Sequence, residues 1–167
     1  MRDRSTPPAD PNRRKVKFKS STKGSQYVHH ITPPVPGTAD DPRVNGAIVA
    51  VFNSVYTGGE LVPVGLPAEG WTLSGTNTYK YRGASTDAIT RVVVRPDQIS
   101  FSGSRGAWHY TLNEPSQGRV AMVLLMNNTV WCSDAPAKSS PSIAANDHVD
   151  KFVAEPSSPA PPFCVGP

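Results

Sequence analysis

The chain has 167 residues, with 17 Lys and Arg against 13 Asp and Glu, a net charge of +4 and only 18% charged residues. That length suits one domain with tails and is enough to bury a sizeable core. No run of 18 apolar residues is present, so no membrane-spanning helix is expected. The start, MRDRSTPPADPNRRKVKFKSS, lacks the apolar stretch of a secretory signal.

Charge and proline are both unevenly placed. Residues 1–23 hold eight of the 17 Lys and Arg but only Asp3 and Asp10, a charge of +6 that leaves −2 for residues 24–167. The basic character therefore belongs to an arm. Such an arm binds nucleic acid or an anionic surface, or is simply a solvated tail. Of 18 prolines, seven lie in residues 1–45, seven in 134–167 and four between. A chain that keeps proline at its ends leaves its middle free for hydrogen-bonded ladders.

In chain order, residues 1–12 read as a disordered basic and proline-rich tail. KVKFKS then alternates strictly, with Lys15, Lys17 and Lys19 on one face and Val16 and Phe18 on the other. This predicts a half-buried strand over 13–21, at a sheet edge where lysine discourages stray pairing. Residues 13–45 form an arm of this strand plus a proline-rich extended linker. AIVAVF (47–52) reads as a central strand, YTGGE (56–60) as a turn, and ELVPVGL (60–66) as a return that Pro63 confines to an edge or bulge. TYKYR (78–82) sets Tyr79 and Tyr81 against Lys80 and Arg82, and ITRVVVR (89–95) sets Val92 and Val94 against Arg91 and Arg95. RPDQ (95–98) carries a type I turn signal. ISFS follows with Ile99 and Phe101 inward, then a turn at GSRG. AWHYTL (107–112) places Trp108, Tyr110 and Leu112 on one face of a strand. RVAMVLLM (119–126) is apolar throughout, and TVWC returns across Asn127-Asn128. NDHVDKFVA (146–154) reads as a last strand, with a helical stripe of Val149, Phe152 and Val153 as the other reading.

About nine short strands at this spacing predict an all-β antiparallel sandwich. Its domain is expected over 46–155, with extended proline-rich tails and residues 156–167 held to the domain by Cys164.

The stretch ITRVVVRPDQISFSGSRGAWHYTLNEPSQGRVAMVLLMNNTVWC, together with YKYRG before it, resembles a poorly characterised β-sandwich module. That module occurs in large secreted and cell-surface bacterial proteins, often near the C-terminus, and its apolar strand closes on a WC pair. The resemblance covers residues 46–133. It implies an extracellular or cell-surface setting and a non-catalytic structural or assembly role, such as a subunit of a surface polymer or filament. The alternative setting is the cytoplasm, since no leader precedes the strand pattern.

The two cysteines are Cys132, at the end of a core strand, and Cys164, in PSSPAPPFCVGP. A tail of that composition cannot bury a thiol by itself, so a disulfide between them is expected; free thiols are the alternative. Closing a loop of about 33 residues stabilises a fold by roughly 3–4 kcal/mol in the chain-entropy description. No CxxC occurs, and adjacent His29 and His30 point to opposite faces of an extended segment, so neither metal nor cofactor is expected. No GxSxG elbow, facing carboxylate pair or phosphate-binding glycine loop is present, and no enzyme is expected. The aromatics Trp71, Tyr79, Tyr81 and Trp108 are either core or a platform for carbohydrate or another extracellular ligand. Lys15, Val16, Lys17, Phe18 and Lys19 are the candidate partner-binding strand, pairing within the chain, with another copy or with another surface protein. Nucleic acid through residues 13–23 is the least favoured of the partners.

Overall fold

The computed structural model describes residues 1–3, 14–24, 30–54, 61–104 and 108–155. Two antiparallel sheets face each other as a β-sandwich. In chain order the strands are β1 (Lys15–Ser21), β2 (Ala47–Asn53), β3 (Leu61–Leu66), β4 (Trp71–Ser74), β5 (Thr78–Arg82), β6 (Arg91–Arg95), β7 (Gln98–Ser104), β8 (Arg119–Met126), β9 (Thr129–Pro136), β10 (Asp147–His148) and β11 (Lys151–Phe152). Two single-turn helices, α1 (Pro42–Asn45) and α2 (Ile143–Asn146), interrupt them. The larger sheet runs β1-β7-β6-β5-β4 and the smaller β3-β2-β8-β9. Arg2 bridges both Lys15 and Lys151, which links the β10-β11 hairpin to the free side of β1.

Alternation decides which residues meet between the sheets. Tyr79, Tyr81, Val92, Val94, Ile99 and Phe101 from the larger sheet pack against Val49, Val51, Met122, Leu124 and Met126 from the smaller, all within one buried cluster. Pro63 sits, as its missing N–H requires, in an edge strand. The β8–β9 hairpin closes across Asn127 and Asn128, with a φ of 50° at Asn127. Asp40 fastens that turn, accepting from the Asn128 amide at 2.9 Å and the Thr129 hydroxyl at 2.6 Å.

Several expectations need correction. Among the described residues there are 11 strands rather than nine. The first begins at Lys15, not at residue 13, and the linker after it ends in α1. Residues 1–3 are not part of a loose tail: Asp3 is buried and pairs with Arg14 at 3.3 Å. Residues 108–112 alternate as a strand would, with Trp108, Tyr110 and Leu112 buried and His109 exposed, yet they join no ladder. Their backbone is met instead by single partners: Arg14 donates to the Trp108 carbonyl at 3.1 Å, the Asp150 amide to the Leu112 carbonyl at 2.8 Å, and the Leu112 amide to Asp3 at 3.4 Å. The turn at Arg95–Gln98 is not type I, because Asp97 has φ 58°, the left-handed value of a type II turn. Asp97 is drawn there by the preceding segment: its amide donates to the Ile31 carbonyl at 2.9 Å and its carboxylate meets His30 at 2.7 Å. The expected turns at 56–60 and 105–106 lie outside the described residues.

Candidate binding face

The outward side of the larger sheet carries a grid of cations. Register places Lys17, Ser102, Arg91 and Arg82 in one row across β1, β7, β6 and β5. The next row along the strands is Lys19, Ser100, Val93, Lys80 and Thr72, and the third joins Ser21, Gln98 and Arg95. Lys15 extends the β1 column. Strands about 4.8 Å apart and a two-residue repeat of about 6.7 Å spread these groups over roughly 14 by 20 Å. Seven basic residues, Lys15, Lys17, Lys19, Lys80, Arg82, Arg91 and Arg95, thus share a face on which no strand position is acidic.

Little neutralises them. Lys80 donates to the Ser74 hydroxyl at 3.0 Å and Arg95 to the Gln98 side chain at 2.5 Å. Among the described residues, the side chains of Lys15, Lys17, Lys19, Arg82 and Arg91 have no hydrogen-bonding or ion-pair partner, and all five residues are exposed. Neighbouring cations on this plane lie within about one Debye length of each other, so their fields sum to a local positive potential.

The arm strand completes this face. β1 pairs with β7 of the same chain over seven residue pairs, from Lys15 opposite Ser104 to Ser21 opposite Gln98. Val16 is buried, and Phe18 is half-buried and stacked on Phe101 with ring centroids 5.1 Å apart. Those two inward side chains hold the strand while its lysines face outward.

The aromatic platform is not formed. Trp71, Tyr79, Tyr81 and Trp108 are all buried, none more than 4% exposed. Trp71 donates to the Leu66 carbonyl at 3.3 Å and lies against Tyr81 at 5.4 Å. Tyr79 donates to the Pro34 carbonyl at 3.2 Å beneath the Arg43 guanidinium. Each ring has more apolar area than a solvent face hides, and the polar tips of Trp71 and Tyr79 find backbone acceptors inside, so the core takes them. Cys132 lies on β9, and no free cysteine occurs among the described residues; Cys164 lies outside them.

The remaining polar clusters serve the fold. Asp41 caps α1 ahead of Pro42, accepting from the Gly37 amide at 2.7 Å, the Arg43 amide at 2.9 Å and the Arg43 guanidinium at 2.6 Å. Burial by itself would raise its pKa; the Arg43 and amide hydrogen bonds outweigh it and hold the carboxyl at about 2. Asp147 is likewise buried and accepts from Ser116, the Gln117 amide and the Gly118 amide at 2.6–2.7 Å. No group of three or more His, Cys, Asp or Glu placed for a metal ion occurs among the described residues. A cleft of about 590 Å³ opens between the edges β1 and β9, walled by Phe18, Phe101, Val51 and Met122. Among the described residues no helix is long and apolar enough to cross a membrane.

Comparison with protein-family models, with curated proteins and with solved structures finds no match. The basic face is therefore read from its own chemistry. Sequence reasoning named three of its seven cations as a site and noted the other four only as the outward halves of alternating strands. The signal was present in that alternation; the strand register that gathers them was not.

Proposed function

We propose that this chain is a non-catalytic structural and assembly module of the extracellular or cell-surface space, and that it attaches to an acidic polysaccharide through the outer face of its larger sheet. The observation that carries this is the seven-residue cation grid without a carboxylate among its strand positions. Ser100, Ser102 and Thr72 lie between the cations and suit sugar hydroxyls. A flat sheet receives a linear chain lying across it. A duplex groove, by contrast, admits a protruding helix or ribbon, and single-stranded nucleic acid is held by exposed aromatics, which this face lacks. Strand exchange between copies is the less favoured route to assembly, because β1 already pairs with its own β7. A Cys132–Cys164 disulfide belongs to the same reading, since such bonds persist outside the reducing cytosol.

The test is retention on immobilised polygalacturonate, on neutral dextran and on duplex DNA across a salt gradient. Binding to polygalacturonate that weakens steeply with salt, little retention on dextran, and loss of binding in Lys17→Glu/Arg91→Glu is the expected result. Both substitutions are on exposed side chains and leave the core untouched. Equal retention of the variant, or no retention of the parent at low salt, removes the proposal. Tighter binding to DNA than to polygalacturonate replaces it with the nucleic-acid reading.

A further inference from the structure

The two sheets end on the same side of the sandwich, one with β1 and the other with β9, and the gap between these edges is not closed. The strand period gives the reason. Val16 and Phe18 point inward from β1, but the inward positions of β9 beyond Trp131 are Ser133 and Ala135, too small to meet them. A cleft of about 590 Å³ is left, with Val51 and Met122 at its floor. The edge beside this cleft also carries main chain without a partner. Arg2 shows which groups are left over: its amide donates to the Lys15 carbonyl at 2.9 Å and its carbonyl accepts from the Lys15 amide at 2.8 Å, on the side away from β7. By the alternation of an antiparallel ladder, the amides and carbonyls of Lys17 and Lys19 point the same way. Among the described residues, nothing hydrogen-bonds to them there.

We propose that the open edge of β1 receives an extended peptide of a partner protein, added antiparallel along Lys17 to Ser21, in which acidic residues alternate with apolar ones. The pattern follows from the register. Residues opposite Lys17 and Lys19 exchange both main-chain bonds with them and share their outward face, where a carboxylate meets each ammonium. Residues opposite Phe18 and Ser20 turn inward over the cleft, where apolar side chains reach Phe101, Val51 and Met122. Main-chain bonds then hold the peptide and the cleft selects its alternate side chains.

Charge complementarity chooses the acid. Arg2, Lys15, Lys17, Lys19 and Lys23 flank the edge and are all exposed. Glu155 lines the cleft on the far side, beside Pro136 of β9. The same lysines repel the β1 of a second copy, so the edge does not pair with itself. Met1 and Arg2 occupy the end of the edge nearest Lys15 and set where the peptide stops. From Lys17 to Ser21 the edge offers about 17 Å, room for one short strand. This site lies along the edge of the sheet and does not depend on the polysaccharide reading of its face.

The test uses the full chain and a blocked, fluorescent peptide of alternating glutamate and valine, as long as the seven residues of β1, read by anisotropy. The peptide is compared unmodified, N-methylated on every glutamate, and N-methylated on every valine. The glutamate N–H groups are the ones that face β1. Their methylation is expected to weaken binding at least about tenfold, and valine methylation less than about twofold. Ser133→Leu/Ala135→Leu, which fills the cleft, is expected to weaken the unmodified peptide as glutamate methylation does. Arg82→Glu/Arg91→Glu, on the outer face away from β1, is expected to lower retention on polygalacturonate and to leave peptide affinity within about threefold. Equal affinity of the two methylated peptides, or no saturable binding of the unmodified one, overturns the proposal. So does loss of peptide binding in the arginine variant, which would put the peptide on the cation face. The methylation contrast leaves the protein unchanged, so it decides even if the leucine variant fails to fold.

Discussion

Val16→Asp tests whether the arm strand is part of the binding face. Val16 is 1% exposed and lies opposite Gly103 in β7. Burying Val16 fully contributes about 1.5–2 kcal/mol and half-burying Phe18 about 1–1.5; its stack on Phe101 adds about 0.5–1.5. The side-chain anchor of β1 is thus about 3–5 kcal/mol. Aspartate removes the valine share and sets an unpaired carboxylate in the core, a penalty of several kcal/mol. The strand's lowest-energy response is to leave β7, carrying Lys15, Lys17 and Lys19 away with it. Four of seven cations then remain, and the slope of log affinity against log salt is expected to fall to about four sevenths of the parent's. Val16→Ala is the control: it loses about 1–2.5 kcal/mol, the strand stays, and the slope is unchanged. Hydrogen exchange of the β1 amides, read alongside retention on polygalacturonate, decides the matter. Fast exchange of β1 with an unchanged salt slope would show that these lysines do not contribute to binding. Persistent protection of β1 in the aspartate variant would refute the energetic argument.

Three further outcomes follow from the packing. Asp41→Asn is expected to flatten the acid limb of stability: a carboxyl held at about 2 in the fold against about 3.9 unfolded stabilises above pH 4, and that share is lost as pH falls through about 2, measured by urea midpoints from pH 6 to 2. Gly103→Ala is expected to cost at least about 3 kcal/mol in chemical denaturation, because a Cβ there would lie 1.8 Å from the Ala88 carbonyl oxygen. Asp147→Ala leaves the buried Gln117 amide without its acceptor and the Gly118 amide with only the Ser116 hydroxyl at 3.2 Å, and is expected to lower thermal stability by about 1–3 kcal/mol.

Local chemistry was legible where a residue's own constraint sets its place. The alternation of Lys15 to Lys19, the edge position of Pro63, the reversal at Asn127 and the inward Val92 and Val94 all follow from side-chain period or missing donors. Pairings distant in sequence were not. Nothing near Lys17 says that Ser102 lies beside it with Arg91 beyond, so the cation grid could not be assembled from its parts. Residues 108–112 show a second limit: alternating burial follows from an extended backbone over a core, and side chains such as Arg14 and Asp3 can satisfy that backbone as a neighbouring strand would. The buried Trp71, Tyr79, Tyr81 and Trp108 show a third, because ring content alone does not tell which face of a sandwich the rings occupy.

The pairing of β1 with β7 also orders events on the ribosome. Lys15 meets Ser104 and Ser21 meets Gln98, so β1 waits for a partner translated roughly 80–90 residues later. At about 5–20 residues per second that is roughly 4–18 seconds. Through this interval Val16 and Phe18 are unpaired, and the nascent chain trails a positively charged, half-apolar segment beside the ribosome's own RNA. The face is then completed by a strand made well before the others that form it.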